Sequence, residues 1–440
     1  MKMKNVLCLG AGMVARPFIH YLSEHNYNVI VASRTKAKAE KLIAGCKNAE
    51  AVAFNISKDD QLLDELVEKA DLVCSLLPPM YHPKAAKIAI KHKKPFSTTS
   101  YISEEMKALN EQAKKAGILL LNECGVDPGI DHMSAMKIID HVHNNNGKIV
   151  SFTSFTGGLP APDSNNNPYG YKVSWTPRGV LLAGRNDAHY LKDGKEVNIK
   201  GADLFQSCEQ IEVPRIGLFE GYPNRDSMSY IDIYNIPETK TMLRGTYRNI
   251  GWCETLDAIA DLGLLDIEER SFDKMTYADL MRGLTDDNDK DIKEAIAKAT
   301  KLGPNSKVIS RLEWLGLFDK TPIPSNVTTR LDALCYLFEE KMQYAPGERD
   351  MIVMHHEFIA EFPDKKQKIT STMIDYGIPN GDSSMSRTVA FPVAIASRMI
   401  LEGKIKLTGV HRPITPDIYE PILKELAELN ISLQEHVVDL

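Results

Sequence analysis

Three groups of residues in this chain carry side chains or backbone suited to chemistry on a small molecule. The first is Gly10-Ala11-Gly12-Met13-Val14-Ala15, which follows a short apolar run, Val6 to Leu9, and precedes a helical pattern through Tyr21. A strand, then Gly-x-Gly-x-x-Ala, then a helix is the arrangement that cradles a pyrophosphate. Gly10 makes the tight turn, Gly12 lets the backbone approach the phosphates, and small Ala15 lets the helix pack close to the sheet. The helix N-terminus adds unpaired N–H groups and a partial positive charge. Alone, this motif is weak and fits a plain glycine-rich turn. A second strand, Asn28 to Ala32, at the expected distance strengthens it. The second group is Gly125-Val126-Asp127-Pro128-Gly129-Ile130-Asp131-His132, where two glycines and a proline flank a carboxylate just before a helix. Asp131 there reads as a helix cap, whereas Asp127 could hold an ammonium group or exchange protons with it. The third is a set of arginines: Arg225 in a loop, and Arg244 and Arg248 at alternating strand positions, on one face with Thr246. Several guanidinium groups on one face suit a substrate with several carboxylates; surface ion pairing is the ordinary alternative.

The elements that must position these groups begin with an alternating strand–helix series. Strands are expected at Ala51 to Phe54, Asp71 to Leu77, Pro95 to Ser100 and Ile118 to Asn122. Helices are expected at Asp59 to Lys69, Lys84 to Lys91 and Glu104 to Lys115, the last capped by Ser103. That rhythm predicts an α/β fold with a doubly wound parallel Rossmann sheet. Ligands in such sheets bind beyond the carboxyl ends of the strands. This rule, with the glycine turn, gives the expected cofactor contacts: Gly10, Ala11, Gly12, Met13 and Val14 at the first strand; Ser33, Arg34 and Thr35 at the second; Asn55 and Ile56 at the third; Leu77 at the fourth. Thr99 and Ser100 follow the fifth strand, and Val126, Asp127 and Pro128 lie just beyond the sixth. Tyr101 stands on the same edge. His82 is also near this edge, but a lone histidine there is more often a cap or surface residue and is not assigned a role. A carboxylate at the end of the second strand would favour NAD; here Ser33 and Arg34 stand there, and a guanidinium matches a 2′-phosphate with paired donors, so NADP(H) is expected.

From Lys148 the pattern changes. Ile149 to Phe155 alternates like a half-buried antiparallel strand, and strand-like pieces recur at Lys195 to Ile199, Leu218 to Gly221 and Thr241 to Asn249. This is read as a second α+β domain with a mixed sheet. Residues from about Glu254 to Tyr344, rich in Leu, Asp, Glu and Lys at helical spacing, are read as an inserted helical subdomain. Met351 to Ile359 and Lys368 to Tyr376 form a hairpin, and an apolar helix, Thr388 to Glu402, leads back. The expected organisation is a Rossmann NADP-binding domain over 1–128 plus about 395–440, a substrate-binding and dimerisation domain over 129–253 and 345–394, and the helical insertion over 254–344.

Composition excludes several classes. With 440 residues, two or three domains are the natural expectation, and a net charge of −6 gives no reason to expect nucleic acid binding. No apolar run is long enough to span a membrane, and the N-terminus enters a strand directly, so no membrane partner and no signal peptide are expected. The seven cysteines are scattered with no C-x-x-C pair, which reads as free thiols in a reducing cytoplasm and no metal site.

These residues resemble the glutamate-forming, NADP-linked saccharopine reductase family. The likeness runs through Gly10–Ala15, Thr99–Ser103, Gly125–His132, Gly157–Pro162, Tyr171–Trp175 and Tyr222–Ser227. It continues in Met342–Tyr344, Glu348–Met351 and Val389–Ala396, and so covers nearly the whole chain. The resemblance implies the reversible joining of glutamate and 2-aminoadipate 6-semialdehyde, through an imine reduced by NADPH, to give saccharopine; the family is often dimeric. It implies that Arg225 and Arg244, with Thr246 and Ser100, hold carboxylates, and that Asp127 and Tyr101 move protons. Thr156 and Gly157 belong to the substrate segment; Thr156 stands where the family commonly has cysteine, and a hydroxyl can bond the substrate but cannot act as a thiol. Lys172 ranks below Asp127, because a lysine after tyrosine is more often at the surface. Two alternatives remain: a carboxynorspermidine dehydrogenase, whose diamine would need acidic residues where this chain has arginines, and an NADPH-binding redox sensor without chemistry.

One consequence can be measured directly. Arg34→Asp should weaken NADPH by about 1.5–3 kcal/mol, roughly 10- to 150-fold in Kd, and NADH much less. Equal losses in a titration with both cofactors would remove the argument from Arg34.

Overall fold

The computed structural model describes residues 3–285 and 291–440. Residues 286–290, inside the region read as a helical insertion, and residues 1–2 lie outside the described residues. The chain begins with β1 (Asn5–Leu9), α1 (Ala15–Glu24), β2 (Asn28–Ser33), α2 (Lys36–Leu42), β3 (Ala49–Ala53), α3 (Asp60–Lys69), β4 (Leu72–Ser75), α4 (His82–Lys91), β5 (Phe96–Thr98), α5 (Glu104–Lys107), α6 (Asn110–Ala116), β6 (Leu119–Leu121) and α7 (Ile130–Asn144). The mixed region follows, with β7 (Lys148–Pro160), α8 (Pro177–Ala183), β8 (Ala188–Lys192), β9 (Lys195–Ile199), β10 (Glu209–Val213), β11 (Gly217–Pro223), α9 (Ser229–Ile233) and β12 (Thr241–Arg248). Among the described residues five helices come next: α10 (Trp252–Asp261), α11 (Tyr277–Arg282), α12 (Ile292–Ala299), α13 (Lys307–Leu315) and α14 (Arg330–Lys341). The last elements are β13 (Asp350–Glu361), β14 (Lys366–Tyr376), α15 (Ser384–Leu401), β15 (Gly409–His411), α16 (Pro416–Glu428) and β16 (Leu433–Asp439).

The first compact unit comprises Met1–Gly147 and Met373–Glu435. Its seven strands lie in the order β15-β6-β5-β4-β1-β2-β3, and each recorded pairing is parallel. The interior strands read as unbroken apolar runs because helices cover both faces of a parallel sheet; Val6, Leu7, Cys8 and Leu9 are all fully buried. The chain reverses direction along the sheet between β1 and β4, the switch point where such folds bind nucleotides. The expected single helix over 104–115 is two pieces, α5 and α6, with the Ser103 hydroxyl accepting the Met106 N–H at 3.2 Å. α6 ends at Gly117, whose φ of 70° closes the helix in the left-handed conformation.

The second unit comprises Lys148–Thr372 and His436–Leu440. Its sheet has the order β10-β11-β12-β7-β13-β14-β16, with β8 pairing β12 and β9. β12 runs parallel to β7 and antiparallel to β11, so the sheet is mixed, as expected. Three boundaries differ from the expectation. The first unit extends to Gly147, not Pro128, because α7 packs on the returning α16. The chain re-enters that unit at Met373, not near residue 395. The helices between 254 and 344 do not stand apart: Trp252, Leu256, Leu334 and Phe338 share one hydrophobic core with Tyr171, Val173 and Tyr222.

The chain's return to the first unit is pinned by a buried ion pair. Arg387 Nη1 donates to both carboxylate oxygens of Asp375 at 3.0 Å, and the Ser384 hydroxyl donates to the same carboxylate at 2.7 Å. Both partners of the ion pair are at most 9% exposed. Removing one partner strands a charge in low dielectric, so Arg387→Met should cost about 3–5 kcal/mol in denaturant or thermal unfolding, and a second change, Asp375→Asn, should recover part of it.

Candidate active site

The glycine turn has the shape its sequence demands. Gly10 has φ 116°, and a Cβ there would lie 2.9 Å from the Leu76 carbonyl oxygen. Its N–H donates to the Ala32 carbonyl at 2.9 Å, which sets the turn beside the end of β2. Nothing lies within 4 Å of a Cβ built on Gly12, so the space above it is open to a phosphate. Ala15 is fully buried under α1, while Met13 is exposed. Arg34, just past β2, is exposed and has no ion pair or hydrogen bond among the described residues. Open backbone over Gly12, the N-terminus of α1 and an uncommitted guanidinium fit a phosphorylated dinucleotide. Asn55 is held by its own turn: its N–H donates to Asp59 at 2.7 Å and its side-chain oxygen accepts from Ser57 at 3.0 Å. Ile56 is buried and Leu77 half-buried.

At the carboxyl ends of β5 and β6 the structure joins Tyr101 and Asp127: the phenol donates to Asp127 Oδ1 at 3.1 Å. Asp127 is half-buried and joined to Pro128 by a cis peptide bond. Two bonds tie the loops that carry the pair, Glu123 N–H to the Ser100 carbonyl at 3.0 Å and Cys124 N–H to the Thr98 carbonyl at 3.2 Å. Gly129, with φ 149°, folds back so tightly that a Cβ would sit 2.0 Å from the Gly125 carbonyl oxygen. Asp131 accepts the Gly129 N–H at 2.5 Å, consistent with a local capping role at the start of α7.

Glu123, not assigned a role from sequence, is the anchor of this edge. It is 1% exposed with φ 56°, and accepts from Ile102 N–H, His132 Nε2 and Arg412 Nε, each at 2.9 Å. Burial by itself would raise its pKa, but His132 and Arg412 outweigh that and hold the carboxyl below its usual range.

His82, set aside from sequence, is also built into the site. It is 2% exposed, with Nδ1 2.9 Å from the Ser75 hydroxyl and Nε2 2.9 Å from the Ser100 hydroxyl and 3.2 Å from that of Thr98. The Thr98 hydroxyl already donates to the Ser75 carbonyl at 2.8 Å, so it accepts from Nε2–H. The ring then donates to Ser100 as well, which leaves the Ser100 proton to donate to an acceptor such as a carboxylate. Burial lowers the His82 pKa to about 4.

In the second unit, register places Thr156 of β7 opposite Thr246 of β12, which in turn faces Tyr222 of β11. Thr156 Oγ1 is buried and has no hydrogen-bond partner among the described residues. Gly157 has a packing reason: a Cβ there would meet the Tyr247 backbone at 2.8 Å. Arg244 is 7% exposed and lies 4.2 Å over the ring of Tyr230 from α9. Arg248 is 8% exposed and lies over the rings of Tyr171 and Trp252. Surface ion pairing therefore does not describe either arginine. Arg225 is exposed, with φ 54°, in the turn after β11; the Asn224 N–H donates to the Arg244 carbonyl at 2.9 Å, so the two arginines occupy neighbouring segments. Lys172 corrects its surface reading: it is 5% exposed, ion-paired with Glu348 and 5.6 Å over the Tyr344 ring.

All seven cysteines are free thiols. Ligand atoms of Cys208, Glu220 and Cys253 nevertheless lie within 4.8 Å of one another, a proximity no cysteine spacing foretold. Both Glu220 oxygens are already bonded to main-chain N–H groups of Gly251 and Cys253, at 2.8 and 2.7 Å.

The parallel sheet, its glycine turn and the mixed second sheet together define a dinucleotide-binding oxidoreductase. Residues 6–121 match the family model described as Saccharopine dehydrogenase NADP binding domain, and 125–431 that described as Saccharopine dehydrogenase C-terminal domain. The chain belongs to the saccharopine dehydrogenase family. It is 41% identical over 99% of its length, and all of the relative's, to "Saccharopine dehydrogenase [NADP(+), L-glutamate-forming]" of Schizosaccharomyces pombe. It is 42% identical to the protein of that name in Saccharomyces cerevisiae, over 99% of each chain. A solved structure of apo saccharopine dehydrogenase (L-Glu forming) from Saccharomyces cerevisiae superposes with a TM-score of 0.89 at 40% identity, covering 99% of this chain and all of that one.

The depressed His82 pKa has a defined sign. An unfolded imidazole protonates near pH 6.5 and the folded one near 4, so the unfolded state binds the extra proton between them. The stability contribution is complete above pH 6.5 and is lost as pH falls toward 4, by roughly 3 kcal/mol. Unfolding curves for wild type and His82→Gln across that window should converge toward low pH; parallel curves would contradict the assignment.

Proposed function

We propose that this chain catalyses the reversible, NADP(H)-dependent condensation of L-glutamate with L-2-aminoadipate 6-semialdehyde to give L-saccharopine, a step of lysine metabolism. The observation that carries the reading is the likeness, along the full length of both chains, to relatives bearing that activity in their names. Glutamate's amine attacks the aldehyde carbon, the carbinolamine loses water to give an imine, and addition of hydride and a proton yields the secondary amine. NADPH, when bound, supplies that hydride. Gly10 to Val14, Ser33 to Thr35, Asn55, Ile56, Leu77, Thr99 and Val126 to Pro128 hold the cofactor, with Arg34 on the 2′-phosphate.

Asp127 takes a proton from the glutamate ammonium, freeing the amine to attack, and returns it to the carbinolamine hydroxyl, which leaves as water. Tyr101, donating to Asp127 Oδ1, orients that carboxylate for the exchange. Ser100, with its proton directed outward by His82, and Arg225, Arg244, Thr156 and Thr246 hold substrate carboxylates. A diamine substrate would be repelled by these guanidinium groups, which sets carboxynorspermidine second. The protein works in the cytoplasm, in keeping with its free thiols. It forms a homodimer, for which exposed Val437, Val438 and Leu440 at the outer strand β16 provide apolar surface. Among the described residues no helix is long and apolar enough to cross a membrane.

The deciding experiment is a substrate panel read by NADPH absorbance, with saccharopine and carboxynorspermidine offered with NADP+ and NAD+. Saccharopine with NADP+ should dominate; preference for carboxynorspermidine would overturn the assignment. In the same assay Asp127→Ala should lower kcat by about 10²–10⁴-fold and leave NADPH affinity nearly intact.

A further inference from the structure

We infer that Arg248 is a carboxylate-binding residue of the substrate site, presenting the Nε–Nη2 edge of its guanidinium to one carboxylate of the bound substrate. The inference rests on the saccharopine reading above and adds to it a residue which that reading left without a role.

The argument starts from a charge in the wrong place. Arg248 is 8% exposed, yet among the described residues no carboxylate forms an ion pair with it. Its one hydrogen bond runs from Nη1 to the adjacent Tyr247 carbonyl at 2.8 Å, and its Nε is buried without a partner. Glu220 is its register partner on β11, but the two form no ion pair, and each Glu220 oxygen accepts a main-chain N–H at the start of α10. Stacking over Tyr171 and Trp252, at 5.6 and 5.4 Å to the ring centroids, offsets only part of the cost of removing a guanidinium from water. With Nη1 occupied, the uncommitted edge is Nε and Nη2, the two-pronged edge that matches a carboxylate.

The surroundings also suit an anion. Arg248 shares its sheet face with Thr246, whose neighbour Thr156 has a buried, unpartnered hydroxyl roughly 7 Å along the strand direction. The Nε of Arg248 itself is a second buried donor without a partner. Orphan donors beside an unpaired cation are what a site for an absent carboxylate requires, because buried polar groups are otherwise satisfied. A purely structural arginine would have no reason to leave its forked edge empty.

The test uses the full chain and two variants. Arg248→Lys keeps the charge and the stacking but loses the forked edge; Arg248→Met removes both. If wild type oxidises saccharopine, Arg248→Lys should raise its KM at least fivefold and Arg248→Met at least 30-fold, with the KM for NADP+ within twofold. An unchanged saccharopine KM in Arg248→Lys overturns the inference, even if Arg248→Met fails to fold. A second readout does not depend on turnover: titration with glutarate, a simple dicarboxylate, followed by tryptophan fluorescence, since Trp252 lies against Arg248. A saturable response in wild type that is lost in Arg248→Lys supports the site; identical titrations, or none in wild type, overturn it. Failure of wild type to use saccharopine, with the glutarate response intact, would sink the substrate reading and leave the anion site standing.

Discussion

A single buried carboxylate organises the carboxyl-end edge of the sheet in the first unit. Glu123 leaves β6 in a left-handed conformation and spends both its oxygens at once, on the Ile102 amide, on His132 of α7 and on Arg412 of the returning chain. A charge that is 1% exposed is tolerable only when it is bonded in this way. The consequence is geometric. The amide it holds is the one that follows Tyr101, and its own backbone holds Ser100, so the loop bearing the phenol cannot drift from the segment bearing Asp127. His82 does the same work one strand over, using a neutral imidazole to fix the Ser100 hydroxyl. These anchors hold the Tyr101 phenol within hydrogen-bond reach of Asp127, which the proposed proton transfer requires.

The second unit buries positive charge on a strand, in Arg244 and Arg248. Arg244 and Arg248 both stack on aromatic rings, which keeps each guanidinium desolvated and oriented. On the saccharopine reading proposed above, such a guanidinium would discriminate by repulsion as well as attraction, because a cationic substrate group would meet a charge it cannot screen. The buried Thr156 oxygen has no hydrogen-bond partner among the described residues, and the proposed substrate role rests on that oxygen as donor or acceptor.

Much of this was legible in the residues alone. The glycine turn, the alternating strands and helices and the change of pattern at Lys148 follow from local physics: steric freedom at Gly10, continuous apolar strands, and a period that shifts to alternation. That Asp127 and Tyr101 share one edge was anticipated from the rule that ligands lie beyond strand ends; the hydrogen bond between them was not. The misreadings share one cause. Lys172 looked like a surface group, the 254–344 helices like a separate body, and His82 like a cap. Each was judged from its neighbours in sequence, whereas its environment is made by residues far along the chain: Glu348 and Tyr344 for the lysine, Tyr171 and Tyr222 for the helices, Ser100 for the histidine.

The sequence by itself therefore determined the fold class, the nucleotide cradle and the family. Each of these depends on residue type and short spacing. Only the tertiary structure decided which charges are buried and which groups are left without partners. Glu123 became an anchor, Arg248 an unpaired cation and Cys208 a neighbour of Cys253 through pairings between strands and loops distant in the chain. Desolvation belongs to an environment assembled by the whole fold, so no stretch of residues read alone can reveal it.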